Sequence, residues 1–340
     1  MNYYDYKSKK ILTYVDSVGK GWRIFPASLQ IAITDLCYNK CITCGHWQRE
    51  NKKELKYQDL LQFLGVGLKM GLETVCYSGG DPFAYRNINQ IVDWHITNEV
   101  EYGFVTSGFI PNWVEDYTIK NAQWIRVSLD AVGDMNYELC RGGVAWPKVH
   151  SSIERIVKIG ANVEFGITVH RHNIDNILDI FDYAASLGIQ KVMIWSVRKP
   201  GVGEIDLRAN GAQIKNLIET SKHYSKSFPC SNINDAADIL MFGDKFYKFK
   251  RCMTPLVHAF IGANGMVYPC CTMAGDTKDS AQGAGFGYIT EPWETIYENI
   301  LTWSKREYYE LPEFCHTNCV PRIAITNQVL SNEIGRRHFI

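Results

Sequence analysis

Between about residues 29 and 200 the chain alternates short runs rich in β-branched residues with longer stretches whose apolar residues recur at helical spacing. Six strands are expected, at 29–35, 74–80, 102–107, 124–130, 162–170 and 191–197. The segments at 58–70, 146–159 and 176–187 read as amphipathic helices between them. Strands alternating with helices build a parallel sheet, because a parallel neighbour needs a crossover connection. Six units fall short of the eight that close a barrel. The expectation is therefore an α/β fold, a partial (β/α)6 TIM-like barrel left open along one side. Chemistry in such an architecture belongs at the C-terminal ends of the strands, where the connecting loops converge.

After about residue 225 the alternation fades into turns marked by Gly262, Gly265, Gly275, Gly283, Gly285 and Gly287. The pattern divides the chain into an N-terminal extension at 1–28, the barrel at 29–225 and a smaller C-terminal domain at 226–340. That last part holds six cysteines, and it is expected to be held by metal ligation more than by a large core.

Composition narrows the class. With 46% hydrophobic and 21% charged residues among 340, the chain is ordinary for a globular protein. Its formal net charge of zero disfavours a large nucleic-acid footprint without excluding a nucleotide. No apolar run of about 18 residues occurs, so no membrane partner is expected, and residues 1–10 lack a signal-like segment. A cytoplasmic location follows. Eleven cysteines in a compartment that keeps thiols reduced point to metal or redox chemistry rather than disulfides.

Directly after the first expected strand stand Cys37, Cys41 and Cys44 in a CxxxCxxC spacing, followed by Gly45, His46 and Trp47. Three thiolates on one loop can bind three irons of a [4Fe-4S] cluster and leave the fourth iron open to a chelating ligand. The same spacing also suits a zinc site with His46 as fourth ligand, or a loop with buried thiols. The second strand ends in Ser78, Gly79, Gly80, Asp81 and Pro82, and glycines there let backbone approach a ligand closely. The third ends in Thr106, Ser107 and Gly108; the fourth ends in Ser128, Leu129, Asp130 and Ala131, with Ser128 and Asp130 on one face.

In these motifs the chain resembles the radical S-adenosylmethionine (radical SAM) superfamily. The likeness covers roughly residues 29–200 and includes Arg141, Gly142 and the run from Thr168 to Asn173, which look like the peptide-maturase and sugar-oxidising branch. Two positions depart from the family pattern: Thr43 stands where an aromatic is common, and Asp81 stands for the usual Glu. The resemblance implies that Cys37, Cys41 and Cys44 hold the cluster, and that Ser78 to Pro82, Thr106, Ser128, Asp130 and Arg198 contact S-adenosylmethionine. It implies reductive cleavage of that cofactor to a 5'-deoxyadenosyl radical, with flavodoxin or ferredoxin as reducing partner.

In the C-terminal region seventeen residues separate Cys252 from Cys270, Gly265 precedes Cys270 in a GxxxxC arrangement, and Cys315 and Cys319 follow after a gap of 44. Four thiolates saturate one cluster or one structural zinc. This set resembles the Twitch form of the SPASM auxiliary domain, as in an aminocyclitol dehydrogenase, and implies a second, auxiliary [4Fe-4S] cluster that conducts electrons or supports the fold.

Cys76, Cys140, Cys230 and Cys271 remain, and most read as small buried hydrophobes. Cys271, beside a presumed ligand, is the candidate for returning hydrogen to a substrate radical. His170, Arg171, Trp195, Arg198 and Lys199 lie at or beyond the ends of strands five and six, where a substrate or the cofactor carboxylate would sit, and His170 and Arg171 are the catalytic candidates. The leading expectation is an enzyme that oxidises, epimerises or rearranges a small polar substrate such as a sugar, aminocyclitol or nucleotide. Maturation of a ribosomally made peptide, modification of a nucleic-acid base, and a non-catalytic iron-sulfur or zinc carrier are the alternatives. Only 36 residues precede Cys37, which argues against an N-terminal peptide-recognition domain.

Overall fold

The structure is a computed structural model that describes residues 25–197, 207–224, 228, 249–274, 285–311, 315 and 327. Six parallel strands carry the first part: β1 (Ser28–Thr34), β2 (Thr74–Gly79), β3 (Glu101–Thr106), β4 (Trp124–Ser128), β5 (Val163–Val169) and β6 (Val192–Ser196). Between them run α1 (Tyr57–Lys69), α2 (Ile88–Asn98), α3 (Asp116–Lys120), α4 (Asp134–Cys140), α5 (Trp146–Lys158) and α6 (Ile177–Ser186). The expected strands and helices recur within a residue or two, since both periodicities are strong. Then α7 (Gly211–Ser221), opened by an Asn210–Gln213 capping box, follows β6.

Strand faces divide by alternation. Leu29, Ile31, Ile33, Tyr77, Phe104, Ile125, Val127, Phe165 and Ile167 are buried in one core with helix residues such as Leu60, Ile91, Ile153 and Phe181. Gln30, Cys76, Arg126, Ser128, Thr168 and Trp195, on the other face, are only partly buried. Parallel strands covered on both faces normally read as continuous apolar runs, so a polar, half-exposed second face marks an interior that is not filled with side chains. Two glycines shape it. A Cβ on Gly103 would lie 2.5 Å from the Trp124 ring, and one on Gly166 would lie 2.8 Å from the Trp195 ring. The Arg126 guanidinium lies 5.3 Å from one indole and 5.2 Å from the other, and it shares the buried Glu164 carboxylate with Lys191.

The C-terminal region continues the sheet. Its short helix α8 (Thr254–Val257) leads into β7 (His258–Ile261), which pairs in parallel with β1, and β8 (Met266–Tyr268) and β9 (Gly287–Tyr288) continue antiparallel. Among the described residues the order is β6-β5-β4-β3-β2-β1-β7-β8-β9, in one sheet. Residues of β7, and Trp293, Ile296, Ile300 and Trp303 of the last helix α9 (Trp293–Lys305), pack into the same apolar core as the barrel. The described part of this region is thus held by burial as well, because β1 would otherwise present an unpaired edge. Among the described residues no helix is long and apolar enough to cross a membrane.

Candidate functional site

The loop carrying Cys37, Cys41 and Cys44 leaves β1 at the C-terminal edge of the sheet and is clamped from two sides. On one side, Gly80 N–H donates to the Thr34 carbonyl and Asp81 N–H to the Leu36 carbonyl, each at 2.7 Å. A Cβ on Gly80 would stand 2.1 Å from the Leu36 oxygen, and one on Gly79, whose φ is +119°, would stand 2.4 Å from the Thr34 oxygen. The glycine pair therefore admits the backbone of the cysteine loop itself, a closer constraint than any ligand. On the other side, Lys40 N–H donates to the Arg141 carbonyl at 2.9 Å and Ile42 N–H to the Cys140 carbonyl at 3.2 Å. Asn39 is buried and donates to the Tyr137 hydroxyl at 2.8 Å.

Cys41 is buried, and Cys37 and Cys44 are half-buried. Burial, then the neighbouring Asp81 carboxylate, pushes the Cys37 thiol up to about 12, and burial raises Cys41 as well. Such thiols ionise only when a cation takes up the charge, so Cys37 and Cys41, with Cys44 on the same clamped loop, fit a multi-iron group that supplies it. Among the described residues no three His, Cys, Asp or Glu side chains converge on a single-ion site. Beside the loop, Asp35 receives Lys53 N–H at 3.0 Å, pairs with Arg49, and lies 3.6 Å from His46, while Trp47 donates to the Cys41 carbonyl at 3.2 Å. His46 and Trp47 thus pack beside the loop.

The strand-end motifs meet here, with roles that differ from one another. Ser78 Oγ accepts from Gln30 at 3.1 Å on the inner face, and Pro82 opens a short 3-10 turn capped by Asp81. Asp81 has no exposed surface: its carboxylate accepts from Ser107 N–H at 2.8 Å, from the Ser107 hydroxyl, from Phe83 N–H at 3.0 Å and from the Thr106 hydroxyl at 3.0 Å. The Thr106 hydroxyl and the Asp81 carboxylate bond each other, tying β2 to β3. Asp130, also buried, accepts from Arg141 Nη1 at 2.8 Å and from Thr168 N–H at 2.8 Å, and Ser128 beside it stays partly exposed. Arg141 is buried, burial of its charge being outweighed by Cys41 and Asp130, so it stays cationic; its Nε finds no partner among the described residues. The sequence marks Arg141 only as part of a motif; its burial beside Cys41 is a tertiary fact.

The two catalytic candidates do not reach an open surface together. His170 is fully buried, its ring Nδ1 accepting from His172 N–H at 3.2 Å, and burial lowers its pKa to about 4, so the ring is neutral. It anchors the turn after β5, where Asn173 reaches the Asp130 carbonyl at 2.9 Å. Arg171 is exposed and its Nε lies 3.3 Å from His172 Nε2, as a solvated loop charge would. Arg198, Lys199, Cys230 and Cys319 lie outside the described residues.

At the other end of the sheet, burial and then the neighbouring Cys271, Cys252 and Cys315 raise the Cys270 thiol. The adjacent cysteines diverge. Cys270 packs on the main core with Cys315, whereas Cys271 packs on Ala32, Phe260 and Tyr268, where Ala32 and Phe260 belong to the inner face of the sheet.

Comparison with known proteins agrees with this geometry. Residues 31–194 match the family model of the radical SAM superfamily, and residues 252–320 match that of an iron-sulfur cluster-binding domain, SPASM. The chain belongs to the radical SAM superfamily and carries a C-terminal auxiliary-cluster domain of the SPASM/Twitch group. That membership brings a [4Fe-4S] cluster, S-adenosylmethionine and further iron-sulfur at the C-terminal end. A probable GTP 3',8-cyclase of Saccharolobus islandicus is 24% identical over 201 residues, 56% of this chain, and the match spans 64% of that protein's own length. A probable GTP 3',8-cyclase of Sulfolobus acidocaldarius is 23% identical over 223 residues, 60% of this chain and 70% of its own. Among solved structures, Streptococcus suis SuiB bound to S-adenosylmethionine superposes with a TM-score of 0.63 at 16% identity, covering 80% of this chain and 66% of that one. The enzyme anSMEcpe with bound AdoMet and a peptide gives 0.63 at 13% identity, covering 91% and 97%. At these identities the likeness is one of fold.

Proposed function

We propose that the chain cleaves S-adenosylmethionine reductively and takes hydrogen from a small polar substrate, a sugar, aminocyclitol or nucleotide, with oxidation, epimerisation or rearrangement as the outcome. The observation that carries this is the cysteine loop clamped between the Gly79–Gly80–Asp81 turn and the Cys140–Arg141 segment, with the Asp130–Arg141 pair beside it. When bound, the reduced cluster and S-adenosylmethionine supply methionine and a 5'-deoxyadenosyl radical.

In this reading Cys37, Cys41 and Cys44 hold three irons. Arg141, charged and with Nε unpartnered, offers a fork to the cofactor's carboxylate. The amides of Gly80 and Asp81 are occupied by the loop, so the carbonyls of the Ser78–Gly80 turn are the groups left to receive an ammonium. Ser128 and Asp130 stand on one face at the mouth, Asp130 oriented by Arg141 and Thr168 to accept from a ribose hydroxyl. The substrate occupies the polar inner face among Gln30, Ser128, Thr168 and Trp195, whose half-exposed side chains favour a hydrogen-bonding molecule over an apolar one. Cys271, which borders that face, is placed to donate hydrogen if the outcome is epimerisation. Flavodoxin or ferredoxin in the cytoplasm supplies the electron.

Peptide modification is the second reading, because SuiB has been solved with its precursor peptide and anSMEcpe with peptides, on this same fold. Anaerobic reconstitution followed by an assay for 5'-deoxyadenosine tests the chemistry. Cleavage is expected, and it should vanish when Cys37, Cys41 and Cys44 are replaced by Ala; cleavage that survives the replacement sinks the assignment. Deuterium transfer into 5'-deoxyadenosine from labelled sugars, nucleotides or peptides then separates the substrate classes.

A further inference from the structure

Cys252 sits on the turn before α8, with 7% of its surface exposed. Asn327, fully buried, receives three donors on Oδ1: Met253 N–H at 2.8 Å, and Thr254 N–H and hydroxyl at 2.9 Å each. A flipped amide would face those donors with its own NH2, so the orientation is forced. Nδ2 is thereby directed at Cys252 Sγ, 3.6 Å away. From α9, Trp303 brings a second potential donor: its buried indole N–H makes no hydrogen bond among the described residues and lies beside the same thiol. A neutral thiol is a weak acceptor, and two buried N–H groups aimed at one leave a desolvation cost unmet. A thiolate carrying charge from a metal answers both, since hydrogen bonds to ionised acceptors are the strong ones.

We propose that Trp303 and Asn327 are positioning residues of the auxiliary iron-sulfur group, giving Cys252 two N–H···S hydrogen bonds that raise its reduction potential and suit it to accept electrons. The inference rests on the reading of Cys252 as a cluster ligand. Reduction adds negative charge that is shared by the ligating sulfurs, so donors to sulfur stabilise the reduced form more than the oxidised one.

The test uses the reconstituted full chain and Trp303→Phe, which keeps the ring and removes the N–H. In a redox titration followed by electron paramagnetic resonance, the auxiliary signal of the variant should need roughly tenfold stronger reducing conditions, ~59 mV lower for one electron. The signal from the Cys37–Cys41–Cys44 cluster should stay in place. After exchange into heavy water, electron-nuclear double resonance should show an exchangeable proton coupling in the wild type that the variant lacks. Asn327→Asp, which keeps an acceptor oxygen for Met253 and Thr254, should shift the potential the same way. Full iron loading with unmoved potentials and an unchanged coupling overturns the proposal. An iron count of about four per chain instead of about eight, with a single signal, overturns the ligand reading beneath it.

Discussion

Asp81 shows how much one side chain holds at this site. Its carboxylate has no exposed surface, and four donors from Thr106, Ser107 and Phe83 converge on it. Asp81→Asn would turn an NH2 group toward those donors and leave at least one of them unpaired. A loss of about 1–3 kcal/mol in urea unfolding is expected, together with lower iron retention after reconstitution. Asp81→Glu should cost a similar amount, because an added methylene has no room in a closed pocket. Gly80→Ala is a different kind of change: its Cβ would meet the Leu36 carbonyl at 2.1 Å, so the cysteine loop must move. The expected outcome is a folded chain that binds markedly less iron from the first cluster, read by iron analysis beside circular dichroism. The sequence marked these positions as strand-end motifs. The ordering of Asp81, Thr106 and Ser107 into a knot between strands needs their tertiary distances, which no spacing contains.

Among the elements, α2 is joined to the sheet by one histidine. His95 accepts from the Tyr77 hydroxyl through Nε2 at 2.7 Å and donates from Nδ1 to the Val100 carbonyl at 2.9 Å, an assignment that satisfies both neighbours. Burial lowers its pKa to about 4. In the unfolded chain the ring titrates near 6.5, so below that pH the unfolded state binds the extra proton. Stability from this group is complete above about pH 6.5 and is lost as pH falls toward 4, on the order of 3 kcal/mol across the window. The difference between wild type and His95→Phe in urea midpoints from pH 7 to pH 4.5 checks this. The variant should be less stable at pH 7, and its acid limb should be flatter. Helices and strands were legible here because apolar residues repeat at 3.6 and 2. The polar tie between them was not, because a histidine on an apolar helix face reads the same whether it is satisfied or catalytic. At the end of β5, His170 is buried, with its Nε2 unpartnered among the described residues.

For the whole molecule, the continuity of the sheet decides how the parts depend on each other. Because β7 covers the edge of β1 and α9 enters the barrel core, removing residues 226–340 would expose both an edge strand and apolar surface. The chain 1–225 is expected to bind a hydrophobic dye and to lose its cooperative thermal transition, as followed by calorimetry, whereas the full chain should unfold with barrel and C-terminal signals in step. Independent, sharp unfolding of 1–225 would show that the shared core matters less than its burial indicates.

The sequence by itself determined the six βα repeats, the loop of three cysteines after the first strand and the C-terminal cysteine spacing. These are local patterns, and the covalent chain fixes their period and order. Only the tertiary structure decided that Gly79 and Gly80 receive the cysteine loop, that Arg141 lies beside Cys41, that Cys270 and Cys271 pack against different apolar groups, and that β7 extends the barrel sheet. Each is a contact between residues far apart in sequence. Its energy comes from burial and hydrogen bonding, which exist only once the chain has closed around them.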